Sequence, residues 1–332
     1  MLAAEFLYRS ADVMSLKNAL TSEELGLLDK MESELFSVKA RDAPPDHLFH
    51  YTTPEAFHGI VKSGEIWATH FRYLNDPREV VHGEDAVYEV AKSLLAAPQE
   101  TPVRAFLETF IDNFQEMRLT SMAGIYVASF SEHGDQLSQW RAYGDARSSY
   151  AVGFSRLPDP TADSDEALAG MNLYRCTYES ESFRSYAHGL LLEMAKGFNK
   201  YVTAHAKREE GARALLATAL GICWRRLIVE IFRLKDPGFR EEGEWRLVVV
   251  PARERPGDLV KFRFTSGGMV PYIPIKLADR AIGEKLPIGR VTVGPGDNAL
   301  LAKQAVEMFL DFEGYEASKI VHASEIPFRN VR

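Results

Sequence analysis

Apolar positions along this chain change between a strand-like and a helix-like spacing, and the changes mark its elements. Leu48 to Tyr51 reads as a short strand, followed by a helix from about Pro54 to Lys62, where Pro54 suits the first helical position and Ser63-Gly64 the stop. A second strand is expected at Glu65 to Thr69. Ahead of them, about Ser22 to Val38, Leu25, Leu28, Met31 and Leu35 share a helical face behind a Thr21 or Ser22 cap, and Arg41-Asp-Ala-Pro-Pro-Asp46 breaks the chain. Helical spacing resumes at about Glu79 to Leu95 and Arg104 to Met117. Strands are expected at Gly124 to Phe130 and Ser149 to Phe154, around a short helix with Ser138-Gln-Trp-Arg-Ala-Tyr143.

Asp159 to Asp165 has the composition of a surface loop. The stretch from about Phe183 to Leu234 is a helical insertion, interrupted near Glu210-Gly211, with apolar repeats through Leu190, Met194, Leu215, Ile222, Leu227 and Ile231. Strands return at Glu244 to Val250, Leu259 to Phe264, Val270 to Ile275 and Arg290 to Val293. A helix over about Ala299 to Phe312 and a strand at Lys319 to His322 close the series. Strands gathered around helical insertions predict an α+β fold with a mixed or antiparallel sheet. The organisation read from this is an N-terminal helical segment, 1–46, and one domain over 47–332 that carries the insertion at about 183–234.

Length and charge narrow the classes. A chain of 332 residues is long enough for a sizeable core, and a formal charge of −8 argues against a general nucleic-acid coat. A local basic patch around Arg225, Arg226, Arg233 and Lys235 remains able to meet phosphates. Two cysteines, Cys176 and Cys223, form no metal or redox spacing, and Met1-Leu-Ala-Ala-Glu-Phe is followed by charge rather than an apolar core. No apolar run reaches the length of a bilayer span. The expectation is a soluble, cytoplasmic protein.

Four clusters carry candidate chemistry. In Phe239-Arg-Glu-Glu-Gly-Glu-Trp-Arg-Leu-Val-Val-Val250, strand alternation puts Glu242, Glu244 and Arg246 on one side at the entry to an apolar strand. Such carboxylates are either paired with a cation such as Arg246 or presented to a ligand. His50-Tyr51-Thr52 lies where a strand hands over to a helix, with His50 and Thr52 on one side and suited to a sugar. In Trp67 to Glu79, Asn75 and Asp76 suit the cap of a helix starting near Pro77, whereas Arg72 suits phosphate and Tyr73 a flat ring. Ser129 and Ser131 place hydroxyls at a strand end, followed by Trp140, Arg141 and Tyr143 on a turn of helix. The packing alternative there is a buried Trp140 with Arg141 paired to an acid such as Asp135. Phosphate loops, dinucleotide fingerprints, nucleophile elbows and His-Glu-x-x-His are missing. His47, His50 and His58 have no companion cluster with ligand spacing, so no metal is expected.

Taken in order, His50-Tyr-Thr, Leu74-Asn-Asp-x-x-Glu79, Phe130-Ser, Ser138-Gln-Trp-Arg-x-Tyr-Gly144, Phe239, Glu242-x-Glu244-Trp-Arg246, Gly294-Pro295 and Ser324-x-Ile-Pro-x-Arg329 resemble the bacterial family known as domain of unknown function 2971. The resemblance spans roughly His47 to Arg329. More distantly, the His-x-Thr strand, the helix ending in Ser63-Gly64, the central hydroxyl-bearing strand and the late Glu are similar to the ADP-ribosyltransferase fold, DNA-modifying toxins included. That likeness implies an ADP-ribosyltransferase-like sheet core and a glycosyltransferase acting on NAD as substrate, a toxin or anti-phage effector that modifies nucleic acid or protein. Under it Glu244 stabilises the ribosyl cation, Glu242 serves the acceptor, and His50, Tyr51 and Thr52 form the binding strand with ribose or the nicotinamide amide. Arg72 meets the pyrophosphate, Tyr73 or Tyr143 stacks on a ring, and Asn75, Asp76, Ser129, Ser131, Trp140 and Arg141 complete the cofactor set. Two rival readings accompany it: a module that binds NAD, ADP-ribose or another nucleotide without turnover, and a metal-dependent nuclease-like enzyme using Glu242, Glu244 and Asp76.

Overall fold

Thr53 shows how local signals start the fold. Its hydroxyl accepts from the Ala56 amide at 3.3 Å, closing β1 (Leu48–Thr52) and capping α1 (Pro54–Ser63). Gly64 ends α1 at φ 73°, where an added Cβ would stand 2.5 Å from the Ala278 carbonyl oxygen. β2 (Glu65–His70) follows, then a single 3-10 turn, Phe71–Tyr73.

The computed structural model describes residues 43–74, 78–114, 124–143, 149–157, 168–205, 209–251, 259–265, 267–278, 280–296 and 298–327, and positions 21, 22, 25 and 26. A sheet unit is built from residues 42–74, 125–176 and 238–332, and a helical unit includes residues 75–124 and 177–237. After β2 the chain gives α2 (Arg78–Ala96) and α3 (Thr101–Asp112) to the helical unit. It returns to the sheet unit with β3 (Tyr126–Ser131), α4 (Leu137–Tyr143), β4 (Tyr150–Phe154) and β5 (Leu168–Arg175). Then α5 (Ser180–His205) and α6 (Glu209–Arg233) belong to the helical unit. The last elements are β6 (Glu244–Pro251), β7 (Lys261–Thr265), β8 (Gly268–Lys276), β9 (Ile288–Val293), α7 (Ala299–Phe312), α8 (Ala317–Ile320) and β10 (Val321–Ala323).

The protein is α+β, and its described residues give ten strands in one mixed, mostly antiparallel sheet, eight of them in the order β10-β9-β4-β1-β3-β2-β8-β7 with β6 and β5 branching from β3. β9 and β10 are the parallel pair. β3 has three partners: β6 pairs with it from Tyr126 to Ser131, β1 meets it at Ser131 through Phe49, and β2 meets it at Val127 and Tyr126. A strand has two edges and β6 fills one throughout, so β1 and β2 share the other, at opposite ends. β5 extends the sheet from the free edge of β6.

One face of the sheet carries the main core. Leu48, Phe130, Val152, Phe154, Trp245, Leu247, Ile273 and Ile275 pack with Phe57, Ile60 and Val61 of α1 and Val306 and Leu310 of α7. Each side chain this deeply buried contributes roughly 1.5–3 kcal/mol. The opposite face has a smaller cluster of Phe49, Tyr51, Ala151 and Trp140, the last supplied by α4. In the helical unit α5 packs with α2, α3 and α6, and Phe106, Phe110, Phe114, Leu191, Trp224, Leu227 and Ile231 are buried. Gly83 of α2 admits Ile231, whose Cγ2 would lie 2.9 Å from an added Cβ.

Several boundaries differ from the sequence reading. β5 was not expected, and α3 begins at Thr101 with Pro102 in its first turn rather than near Arg104. The strand expected at Lys319 to His322 is a helical turn, Ala317–Ile320, followed by the three residues of β10. The helix expected over about 22–38 and the loop at 159–165 fall almost wholly or entirely outside the described residues. No helix among the described residues is long and apolar enough to cross a membrane.

Candidate functional site

The shared edge of β3 forks at Ser129. Extending the β1 register from Phe49–Ser131 would put Tyr51 opposite Ser129, and extending the β2 register from Thr69–Val127 would put Trp67 there. Both cannot fit, so β1 follows β4 as far as Thr52–Tyr150 while β2 follows β8 from Glu65–Lys276. The fork is occupied from one side by His50, whose Nδ1 lies 3.0 Å from the Ser129 carbonyl oxygen. A carbonyl oxygen only accepts, so Nδ1 carries the proton and Nε2 of the neutral ring is an acceptor. Burial holds the His50 pKa below its ordinary 6.5, the Ser129 bond opposes the shift, and the Arg263 charge adds to it. His50 keeps partial exposure, and its ring stands 5.8 Å from that of Phe130.

On the β2 side of the fork Arg263 of β7 donates from Nη2 to Thr69 Oγ1 at 2.9 Å. Its guanidinium carbon lies 5.7 Å from the Trp67 ring centre and 6.0 Å from that of Tyr272. Trp67 and Tyr272 stack at 4.3 Å and 29°. Burial lowers the Arg263 pKa and the Tyr272 hydroxyl opposes this. These residues were missed in the sequence. The available signal was an arginine between two phenylalanines in Lys261-Phe-Arg-Phe-Thr265.

Glu244 and Arg246 form a buried pair with two parallel bonds, Nε to Oε1 at 3.1 Å and Nη2 to Oε2 at 3.0 Å. The Cys176 thiol lies 3.7 Å from Glu244 Oε2. Ser131 Oγ donates to the Glu242 carbonyl at 2.6 Å and accepts from the His133 amide at 3.0 Å. The Glu242 side chain is buried. Cross-strand partners share a face, and Glu244 is opposite Ser131, which is opposite Phe49. His50 is opposite Val152 and Thr52 opposite Tyr150, both members of the main core. Glu244 therefore stands on the face away from His50 and Thr52. The expected convergence of these residues on one side of the sheet is corrected by this register.

Trp140, Tyr51 and Asp135 make a second node. Asp135 accepts from Trp140 Nε1 at 2.8 Å, from Ser324 Oγ at 2.6 Å and from the Glu325 amide at 2.9 Å. Tyr51 meets Trp140 edge-on at 4.6 Å, and its hydroxyl donates to the His133 carbonyl at 2.8 Å while accepting from the Gln136 amide at 3.0 Å. Tyr143 packs against this cluster, partly buried, and Arg141 is exposed. Asp135, the acid expected beside Arg141, serves Trp140 and the segment after β10. Glu132 is likewise engaged, accepting from Trp245 Nε1 at 2.8 Å and pairing with Arg175.

Arg72 and Tyr73 lie at the other end of β3. Phe71 donates its amide to the Ile125 carbonyl, and Ile125 to Ser131 is about 20 Å of extended chain, so neither residue is near Glu244. Arg72 is exposed, its amide donating to His70 Nδ1 at 3.3 Å, and Tyr73 is 51% exposed. Asn75 and Asp76 lie outside the described residues. Among the described residues, no group of three or more His, Cys, Asp or Glu is placed to hold a metal ion.

Residues 139–247 match the family model described as Protein of unknown function (DUF2971). No curated protein and no solved structure matches the chain at a significant level. The match takes in the Gln-Trp-Arg and Glu-Trp-Arg motifs and is narrower than the span from His47 to Arg329 over which the resemblance was read. It leaves His50, Ser129, Ser131 and Arg263 outside, and none of the comparisons supports a likeness to ADP-ribosyltransferases.

Proposed function

We propose that the chain is a nucleotide-binding module, with NAD or ADP-ribose as ligand, whose site is the fork at Ser129. The observation that carries this reading is His50. Its ring is held by the Ser129 carbonyl and kept neutral, leaving Nε2, which has no partner among the described residues, as an acceptor for a ribose hydroxyl or an amide N–H. The sequence order that resembles ADP-ribosyltransferases supports the ligand class, and the divergence of β1 and β2 at Ser129 puts His50 where neither strand pairs with β3.

Binding without turnover is preferred because Glu244 has a bidentate cation of its own and faces away from His50. A carboxylate that is to stabilise a ribosyl cation has to be presented to the sugar. The test is calorimetry with NAD and with ADP-ribose, alongside an assay for free nicotinamide. The expected result is saturable binding, a raised melting temperature and no nicotinamide release. Absence of binding to either nucleotide overturns the reading. Nicotinamide release that depends on the protein replaces it with the transferase, in which NAD is substrate and a nucleic acid or protein is acceptor.

A further inference from the structure

We infer that Arg263, framed by Trp67, Tyr272 and Thr69, is the anion-binding residue of the fork and takes the pyrophosphate of a dinucleotide, with Trp67 as the platform for one of its rings. This rests on the nucleotide-binding reading and replaces Arg72 in the phosphate role. Cross-strand register puts the four residues on one face: Thr69 is opposite Tyr272, and Arg263 is opposite Val270, which alternates with Tyr272. Thr69 is also opposite Val127, two residues from Ser129 on the same face of β3. The subsite therefore adjoins the fork on the face that carries Glu244, and His50 enters the fork from the main-core face.

Three features distinguish this arginine from a structural one. It is half-buried, yet among the described residues it has no carboxylate partner, and Thr69 Oγ1 is its hydrogen-bond acceptor. Burial of an unpaired cation is costly, and an anion supplied by a ligand relieves that cost. Its guanidinium has five N–H donors in a planar fork, one of them used here, which matches the bidentate recognition of phosphate. The lowered pKa of Arg263 has burial as its main cause, as expected of a cation that lacks a counter-charge. The side chain remains protonated at neutral pH.

Trp67 supplies the second part. One face of its ring is stacked on Tyr272, and the residue is 42% exposed, so a large flat apolar surface is held rigid and open beside a cation. Base–aromatic stacking is tolerant of base identity, so the platform suits adenine or nicotinamide. Arg72, by contrast, is exposed beyond the end of β2, where solvent screens its charge.

The test uses the full chain and three probes in calorimetry: ADP-ribose, adenosine and inorganic pyrophosphate. Arg263→Gln is expected to weaken ADP-ribose binding roughly ten- to hundredfold while leaving adenosine unchanged, and Arg263→Lys to restore part of the loss. Trp67→Leu is expected to weaken ADP-ribose and adenosine but not pyrophosphate. The wild-type affinity for ADP-ribose should fall with added salt, and the Arg263→Gln affinity should fall less. Wild-type affinity for ADP-ribose in a folded Arg263→Gln protein overturns the inference while the nucleotide-binding reading stands. If the wild type binds no nucleotide that reading fails. Pyrophosphate binding lost in Arg263→Gln then retains the anion subsite, and absence of pyrophosphate binding removes it as well.

Discussion

His50 Nδ1 and the Ser129 carbonyl oxygen are 3.0 Å apart across the point where β1 and β2 leave a common edge of β3. The imidazole does there what a strand neighbour does elsewhere, satisfying a main-chain acceptor that neither ladder reaches. Its burial fixes its charge state and couples the fork to pH.

Because the folded His50 pKa lies below 6.5, the unfolded chain takes up a proton at pH values where the folded ring does not. The stability tied to the neutral ring is fully present above the unfolded value and is lost as pH falls through the window down to the folded value. His70 and His322 are shifted in the same direction, burial leading in both, and add to the trend. The melting temperature is expected to drop between about pH 7.5 and pH 5.5, with a smaller drop in His50→Gln. An NMR titration that finds the His50 midpoint at or above 6.5 contradicts this assignment.

Local chemistry was legible in the sequence wherever neighbours in the chain decide the outcome. Thr53, Pro54 and Gly64 define α1 through a cap, a first turn and a left-handed stop, all within twelve residues or so of one another. β5 was hidden because Leu-Ala-Gly-Met-Asn-Leu-Tyr-Arg has no β-branched residue and is held as a strand by pairing with β6. The site was partly legible for a related reason. Alternation correctly put His50 with Thr52 and Glu244 with Arg246, whereas Glu242, expected beside them, ends a 3-10 turn, Pro237–Glu242, ahead of the strand; whether the two faces coincide depends on the Phe49–Ser131–Glu244 register across three strands distant in sequence. Arg263 depends likewise on β7, β8 and β2 lying side by side.

Asp135 ties Trp140 to Ser324, almost two hundred positions apart in the chain. Removing the carboxylate leaves an indole N–H, a hydroxyl and the Glu325 amide without their acceptor. Asp135→Ala is expected to cost about 2–4 kcal/mol in urea denaturation, more than Ser324→Ala, because three bonds to a charged acceptor are lost rather than two to a hydroxyl. Hydrogen exchange at Glu325 and Ile326 should speed up in the Asp135 variant, and unchanged protection there contradicts the node.

Two glycines give opposite signs. An added Cβ at Gly294 would lie 2.4 Å from Ser149 Oγ and 3.0 Å from Trp140 Cε3, so Gly294→Ala is expected to destabilise by about 1–3 kcal/mol. Gly59, within α1, has nothing within 4 Å of such a Cβ, and Gly59→Ala should stabilise by about 0.5–1 kcal/mol through the backbone alone. Melting temperatures that move in the same direction for both variants contradict the packing described around Gly294.

The Glu244–Arg246 pair decides what the carboxylate at the head of β6 is for. Both side chains are about 6% exposed and joined by two bonds, so removing one charge leaves the other buried without its counter-ion. Breaking such a pair from one side costs about 3–5 kcal/mol, whereas replacing both partners with apolar residues of similar volume is often close to neutral. Glu244→Leu and Arg246→Met should therefore each destabilise strongly, and the double variant should be more stable than either single one. Glu244→Gln keeps volume and should lose less, with nucleotide binding at Arg263 and His50 unaffected because the carboxylate is engaged by Arg246 and faces away from His50. Denaturation midpoints for the four proteins, read with ADP-ribose affinity, check this double-mutant cycle. Additive losses would mean that the pair is not coupled. A Glu244→Gln protein with wild-type stability and a selective loss of nicotinamide release would instead assign the carboxylate to chemistry on NAD.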